Sequence, residues 1–242
     1  MSLFTKLMAT IVVILVVAVS CTKPDEPNNG ENNGSNGDND TLVKHEFVDL
    51  GLPSGRLWAT CNVGADAPED FGDYFAWGET EPNGKYSWDA YKYGSYVNNL
   101  YAFNKYCSDA FFGFEGFVDT LTVLEPDDDA ATVNWGADWR MPTKEDWEEL
   151  IQKTTFKWTD QNGVAGWLFT GYNGNSIFLP SAGYWWDGVL NFGGVSIYWS
   201  GTLNTDYPNR AWSLYTNSDN FHVCGSNDRN KGQSVRPVRS AR

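Results

Sequence analysis

Positive charge is scarce in this chain. Seventeen Lys and Arg stand against 31 Asp and Glu, a formal net charge of −14. Nucleic acids and anionic headgroups are held by clustered Lys and Arg, so they are poor partners here. The acid excess supports solubility rather than a specific chemistry. Histidine is limited to His45 and His222, and no Gly-x-Ser-x-Gly elbow occurs, which leaves little material for a Ser–His triad. The four Cys form no Cys-x-x-Cys pair, the usual spacing of a zinc site. No repeat of about 20–50 residues is present, which excludes solenoids and propellers. No apolar run reaches the roughly 20 residues of a membrane-spanning helix.

The longest apolar run, Leu7 to Val19, has a different use. It follows Lys6 and ends at Ala18-Val19-Ser20, just before Cys21. A charged start, an apolar stretch of roughly 7–15 residues and a small residue before the cut make an export signal. A Cys directly after the cut is the pattern of a bacterial lipoprotein, with Cys21 as the lipidated residue. Ala18 departs from that pattern, since Leu is usual there. The alternative is an ordinary signal peptide with a Cys at its end. Residues 22–41 hold no aromatic and almost no aliphatic surface, so they cannot offset ordering entropy by burial. As a flexible acidic coil they would span roughly 25 Å. The expected organisation is a signal peptide at 1–20, a lipidated Cys and linker at 21–42, and one folded domain at 43–242. The expected location is the cell surface, lipid-anchored in the outer membrane.

The folded part has ample core material. The chain is 41% hydrophobic and 16% aromatic, with 12 Trp, 12 Tyr and 14 Phe. Such a body needs no metal or disulfide staple. Its aromatics either line a ligand pocket or pin long loops. With Cys21 taken by lipid, Cys61, Cys107 and Cys224 remain. One pair and one free thiol is the simplest outcome, and Cys61 with Cys107 is the expected pair. Leu57–Val63 and Asp73–Gly78 read as strands, and residues 80–116 as a long aromatic loop region. Asp129 to Trp135 reads as a short helix. The clearest helix starts at Thr143, which can cap it. Trp147, Leu150 and Ile151 share its inward face. Beyond Thr154 the chain reads as all-β, with Asn173-Gly174 as a hairpin turn between Trp167–Phe169 and Ser176–Leu179.

Several strings together resemble one family. They are Val48-Asp49-Leu50-Gly51-Leu52-Pro53-Ser54-Gly55 with Leu57-Trp58-Ala59-Thr60; Gly72-Asp73-Tyr74-Phe75-Ala76-Trp77-Gly78-Glu79; Trp139-Arg140-Met141-Pro142-Thr143; Asn173 to Pro180; Tyr198-Trp199-Ser200; and Ser234-Val235-Arg236-Pro237-Val238. From about residue 46 to 240 the chain resembles the Fibrobacter succinogenes major paralogous domain (FISUMP) lipoproteins. More widely it is similar to the C-type-lectin-like fold of formylglycine-generating enzymes and of retroelement-diversified binding proteins. The resemblance implies an α+β class: a single C-type-lectin-like domain with short helices, an antiparallel β core and long loops. Formylglycine-type catalysis needs a Cys pair near the end of the domain, and the terminal strand has none.

Two candidate sites follow. Glu125, Asp127, Asp128 and Asp129 are clustered oxygens of the kind Ca²⁺ takes, although Asp127 to Asp129 also suit a helix cap. No other cofactor is expected. The second site is the segment Asn204 to Lys231. If Trp212, Leu214 and Val223 point inward, strand alternation turns Ser213, Tyr215 and His222 outward. The ligand-binding candidates are Asn204, Asp206, Tyr207, Arg210, Ser213, Tyr215, His222, Cys224, Ser226, Asn227, Asp228 and Lys231, with the whole loop Gly225–Lys231 beside them. Similarity to diversity-generating systems implies a variable face. Adenine mutation of Asn codons cannot give Lys, Glu, Gln, Met or Trp, and Ser213 to Asn230 contains none of these. The expected function is binding of an extracellular glycan or protein. The alternatives are a structural or adhesin subunit with a fixed apolar patch, and a glycan hydrolase with two carboxylates about 5–9.5 Å apart. Tyr184, Trp185 and Trp186 suit sugar stacking, or equally a core.

Overall fold

The computed structural model describes residues 45–192, 194–218 and 221–241, without the side chains of 221–224. The signal peptide, Cys21 and the linker lie outside the described residues, as do the side chains of His222 and Cys224. In chain order the strands are β1 (Phe47–Asp49), β2 (Arg56–Ala59), β3 (Tyr74–Phe75), β4 (Gly94–Val97), β5 (Leu100–Phe103), β6 (Thr154–Gln161), β7 (Val164–Gly171), β8 (Ser176–Pro180), β9 (Tyr184–Trp186), β10 (Val189–Asn191), β11 (Val195–Leu203), β12 (Arg210–Asn217), β13 (Phe221–Asp228), β14 (Gln233–Ser234) and β15 (Val238–Ser240). Helices α1 (Ala130–Trp135) and α2 (Lys144–Lys153) lie between β5 and β6 in the chain. The class is α+β, mostly strand.

Helix α2 begins where its sequence dictates. Thr143 Oγ1 accepts from Asp146 N at 3.3 Å, and Asp146 Oδ2 accepts from Thr143 N at 2.8 Å, a reciprocal capping box. Trp147 and Leu150 are fully buried, with Ile151 packed beside them. Helix α1 starts on Asp129, whose Oδ1 accepts from Ala131 N and Thr132 N at 2.9 and 3.0 Å. Asn173-Gly174 joins β7 to β8, with Trp167 opposite Leu179 and Phe169 opposite Ile177.

Other segments differ from expectation. Strand β2 stops at Ala59, because the Arg236 guanidinium claims the carbonyls of Ala59 and Thr60 at 3.2 and 2.7 Å. Strand β3 is only two residues long. The region 80–116 contains a hairpin, β4–β5, turned by Asn98 and Asn99 at φ 53° and 63°. Asn162-Gly163, a second Asn-Gly turn, places β6 on β7. The expected Cys61–Cys107 pair does not form. Cys61 is disulfide-bonded to a partner outside the described side chains. Cys107 is a free, buried thiol whose Sγ donates to Asp109 O at 3.2 Å, and burial pushes its pKa up.

The largest sheet has the order β13-β12-β11-β14-β3, antiparallel except where β11 meets β14. β1-β2-β15 and β6-β7-β8 form two further sheets. Strand β11 is buried on both faces, and its alternating side chains enter two different cores. Tyr198 joins Trp58, Trp147, Leu150 and Phe169. Trp199 joins Phe75, Trp77, Phe103 and Tyr106. Their polar ends are satisfied, Trp199 Nε1 by Phe75 O and Tyr198 Oη by Pro180 O, both at 2.8 Å.

Two arginines, Arg229 and Arg236, are fully buried. Among the described residues no carboxylate pairs with Arg229. Its Nε donates to Tyr91 Oη at 2.8 Å, Nη1 to the carbonyls of Tyr106 and Pro208 at 3.0 and 2.9 Å, and Nη2 to that of Lys105 at 3.1 Å. Its guanidinium lies 4.6 Å from the Phe103 ring and 4.9 Å from the Trp77 ring, within cation–π range. Arg236 is held by Asn62 Oδ1 at 2.8 Å as well as by the β2 carbonyls. Burial lowers its pKa to about 10, so it stays charged at neutral pH.

Asp128 is a second polar hub. It accepts from Lys105 Nζ at 2.6 Å, Tyr106 Oη at 2.8 Å, Lys92 Nζ at 3.3 Å and Tyr93 Oη. Burial alone would raise its pKa. The donors outweigh burial and hold the carboxyl at about 2. A depressed carboxylate contributes stability above its ordinary pKa and loses it as pH falls through the folded value. Asp128→Asn should therefore remove about 2 kcal/mol of the stability difference between pH 5 and pH 2, read by urea unfolding at each pH. Arg229→Met should cost about 3 kcal/mol or more, because it strands three carbonyls in a core. An unchanged unfolding midpoint would refute that role.

Candidate ligand groove

Strands β9 and β10 are joined by Asp187-Gly188, both at positive φ, 46° and 73°. This is the two-residue turn that suits a twisted hairpin. Alternation along β9 then separates its three aromatics. Trp185 packs into the core, with ring centroids 6.3 Å from Tyr74 and 6.1 Å from Tyr86. Tyr184 and Trp186 take the other face, and Trp186 is 50% exposed.

The hairpin is tied to its surroundings by backbone. Gly183 N donates to Val195 O at 2.9 Å, and Trp185 exchanges bonds of 2.8 and 3.0 Å with Gly232. Gly188 N reaches Lys85 O at 2.7 Å. Position 232 has no room for a side chain. A Cβ there would lie 2.6 Å from the Tyr86 ring, which is itself fixed by its Oη donating to Tyr74 O at 2.6 Å.

Between this hairpin and the main sheet lies a groove of about 530 Å³. Leu190, Asn191 and Phe192 line it from the hairpin side, and Val195, Ile197, Tyr215 and Asn227 from the sheet. Tyr184 and Lys231 complete it. Lys231 Nζ lies 5.6 Å from the Tyr184 ring centroid and 5.5 Å from that of Trp186. It is also 3.7 Å from Asp228, which pairs with Arg210 at 3.4 Å. The groove thus combines aromatic faces, two amides, two phenols and one positive charge. Among the described residues that line it, none is Asp or Glu.

Three of the sequence candidates, Tyr215, Asn227 and Lys231, meet here. Arg210 and Asp228 flank them as an ion pair. Asp206 and Tyr207 are exposed on a turn elsewhere, and Ser226 is half-buried outside the lining. Two candidates are corrected. Asn204 is buried, and its Oδ1 accepts from the backbone N–H of Asp206 at 3.1 Å and Tyr207 at 3.3 Å. Ser213 shares the face of Tyr215 but is buried under Asn227, whose Nδ2 donates to it at 2.9 Å. The loop Gly225–Lys231 is not a continuous surface either, since Arg229 and Asn230 are buried. On β12 the alternation held, with Leu214 in one core and Tyr215 on the opposite face beside β9–β10; Val223 and His222 lie outside the described side chains. Leu190, Asn191 and Phe192 were missed, and the Asp187-Gly188 turn between two aromatic or apolar runs was the signal that could have found them.

Most carboxylates of the acidic string are engaged by protein groups. Asp128 is saturated by two ammonium groups and two phenols, and Glu125 pairs with Lys105. Asp129 caps α1 and accepts from Met141 N at 2.9 Å. Burial raises its pKa. Asp127 is exposed. Among the described residues no group of three or more His, Cys, Asp or Glu converges.

No protein-family model, curated protein or solved structure matches this chain. Gly232→Ala should destabilise the fold by about 1–3 kcal/mol by forcing the Tyr86 ring away. It should also loosen β9–β10, seen as faster amide exchange at Trp185. Unchanged exchange there would show that the hairpin is held by something else.

Proposed function

We propose that the chain is a surface-anchored lipoprotein whose C-type-lectin-like head, of the FISUMP type, binds an extracellular glycan in the groove beside β9–β10. The export signal before Cys21 supports the anchor, and the strings quoted above support the family and the fold. One observation carries the ligand reading: Tyr184 and Trp186 flank Lys231 over a groove whose remaining polar groups are amides and phenols. Aromatic faces take the apolar face of a sugar ring, while amides and phenols take its hydroxyls. If the 3′ codons vary by retroelement action, Tyr215 and Asn227 are positions that reach the ligand, whereas Arg229 is tied to the core.

A second reading, a structural or adhesin subunit, rests on a different region. Val97, Leu100, Phe111 and Phe114 are 61, 58, 71 and 56% exposed on and near β4–β5. Exposed apolar side chains in one region suit a protein partner.

A glycan array probed with the full chain tests the first reading. Wild type should bind a defined set of glycans with and without EDTA. Trp186→Ala should weaken binding at least tenfold without unfolding the head, as loss of one stacking aromatic predicts. Absence of any glycan signal, or full binding by Trp186→Ala, would leave the subunit reading as the better one.

A further inference from the structure

We propose a second binding site, independent of the groove: an arginine-lined cleft that takes a small oxyanion, meaning a carboxylate, sulfate or phosphate group. Three of the seven arginines of a chain with net charge −14 converge here. Arg56, Arg140 and Arg239 line a cavity of about 300 Å³ with Asp138, Trp139 and Ser240.

The guanidinium groups are fixed before any ligand arrives. Arg56 Nε and Arg140 Nη1 share the carboxylate of Asp146, at 3.0 and 2.7 Å. Arg56 Nη1 also donates to Ser240 Oγ at 2.9 Å. Arg239 Nη2 pairs with Asp138 Oδ2 at 2.9 Å, and its guanidinium packs 5.3 Å from both the Phe47 and Trp139 rings. Forks held in this way lose little freedom on meeting a planar or tetrahedral anion.

Two features exceed what a structural clamp requires. Among the described residues three guanidinium groups pair with two carboxylates here, an excess of one positive charge. Arg239 Nε is buried and has no hydrogen-bond partner, although its side chain is only 14% exposed. A buried unpartnered donor on a cation is costly. An oxyanion in the cleft would supply the opposing charge, and would supply the missing acceptor once the Arg239 fork turns toward it.

Thermal melts and calorimetric titration of the full chain with sodium sulfate, sodium phosphate and sodium glucuronate test the site. Ionic strength is matched throughout with sodium chloride. At least one of the three should bind saturably and raise the melting temperature. Arg239→Gln should weaken that binding at least tenfold. Arg239→Lys, which keeps the charge and packing bulk but not the fork, serves if Arg239→Gln fails to fold, and should also weaken it. Preference for glucuronate would assign a carboxylate, and preference for sulfate or phosphate a tetrahedral anion. No saturable effect beyond chloride, or wild-type affinity in a folded Arg239 variant, would overturn the proposal.

Discussion

A guanidinium buried with no carboxylate among the described residues is the constraint from which the groove end of this molecule follows. Arg229 is neutralised by no acid. It is held by three backbone carbonyls, one phenol and a wall of aromatic rings. Those partners come from Trp77 to Tyr106 and from Pro208, segments far apart in sequence. Satisfying one cation therefore fixes the aromatic segment, the 204–210 turn and the end of β13 in one arrangement. Only two and three residues later, Lys231 and Gly232 meet β9. The groove exists because the residue before it in the chain cannot move.

The many aromatics divide between core and groove. Trp58, Trp77, Trp147 and Trp199 are fully buried. Within Tyr184-Trp185-Trp186 the division runs along a single strand, with the central ring packed on the core, Tyr184 lining the groove and Trp186 exposed beside Lys231. Alternation makes that division automatic once β9 is known to be a strand. Before that, the three residues are indistinguishable by type.

Local chemistry was the legible part of the sequence. Thr143 with Asp146, Asp129 ahead of Ala130, and Asn173-Gly174 each act within a few residues, and each formed the expected structure. The alternation of β12 was legible for the same reason. What failed depended on distant partners. Nothing near Ala59 shows that Arg236 will end β2 there. Nothing near Ser213 shows that Asn227 will cover it, and a polar loop gives no hint that Arg229 turns inward. The Cys61–Cys107 pairing failed likewise, because cysteine spacing carries no distance information. Asn98-Asn99, Asn162-Gly163 and Asp187-Gly188 were local signals left unused, and each marks a hairpin.

Strand β11 gives Tyr198 to one core and Trp199 to the other, so the two cores share a wall one residue thick. Separating either core from that wall exposes the opposite face of the same strand. The domain has no cheap partial opening along this line, and its unfolding should be a single cooperative event. Proteases cut transiently opened chain. A head whose centre opens only all at once offers them little to attack, whatever lies bound at its rim.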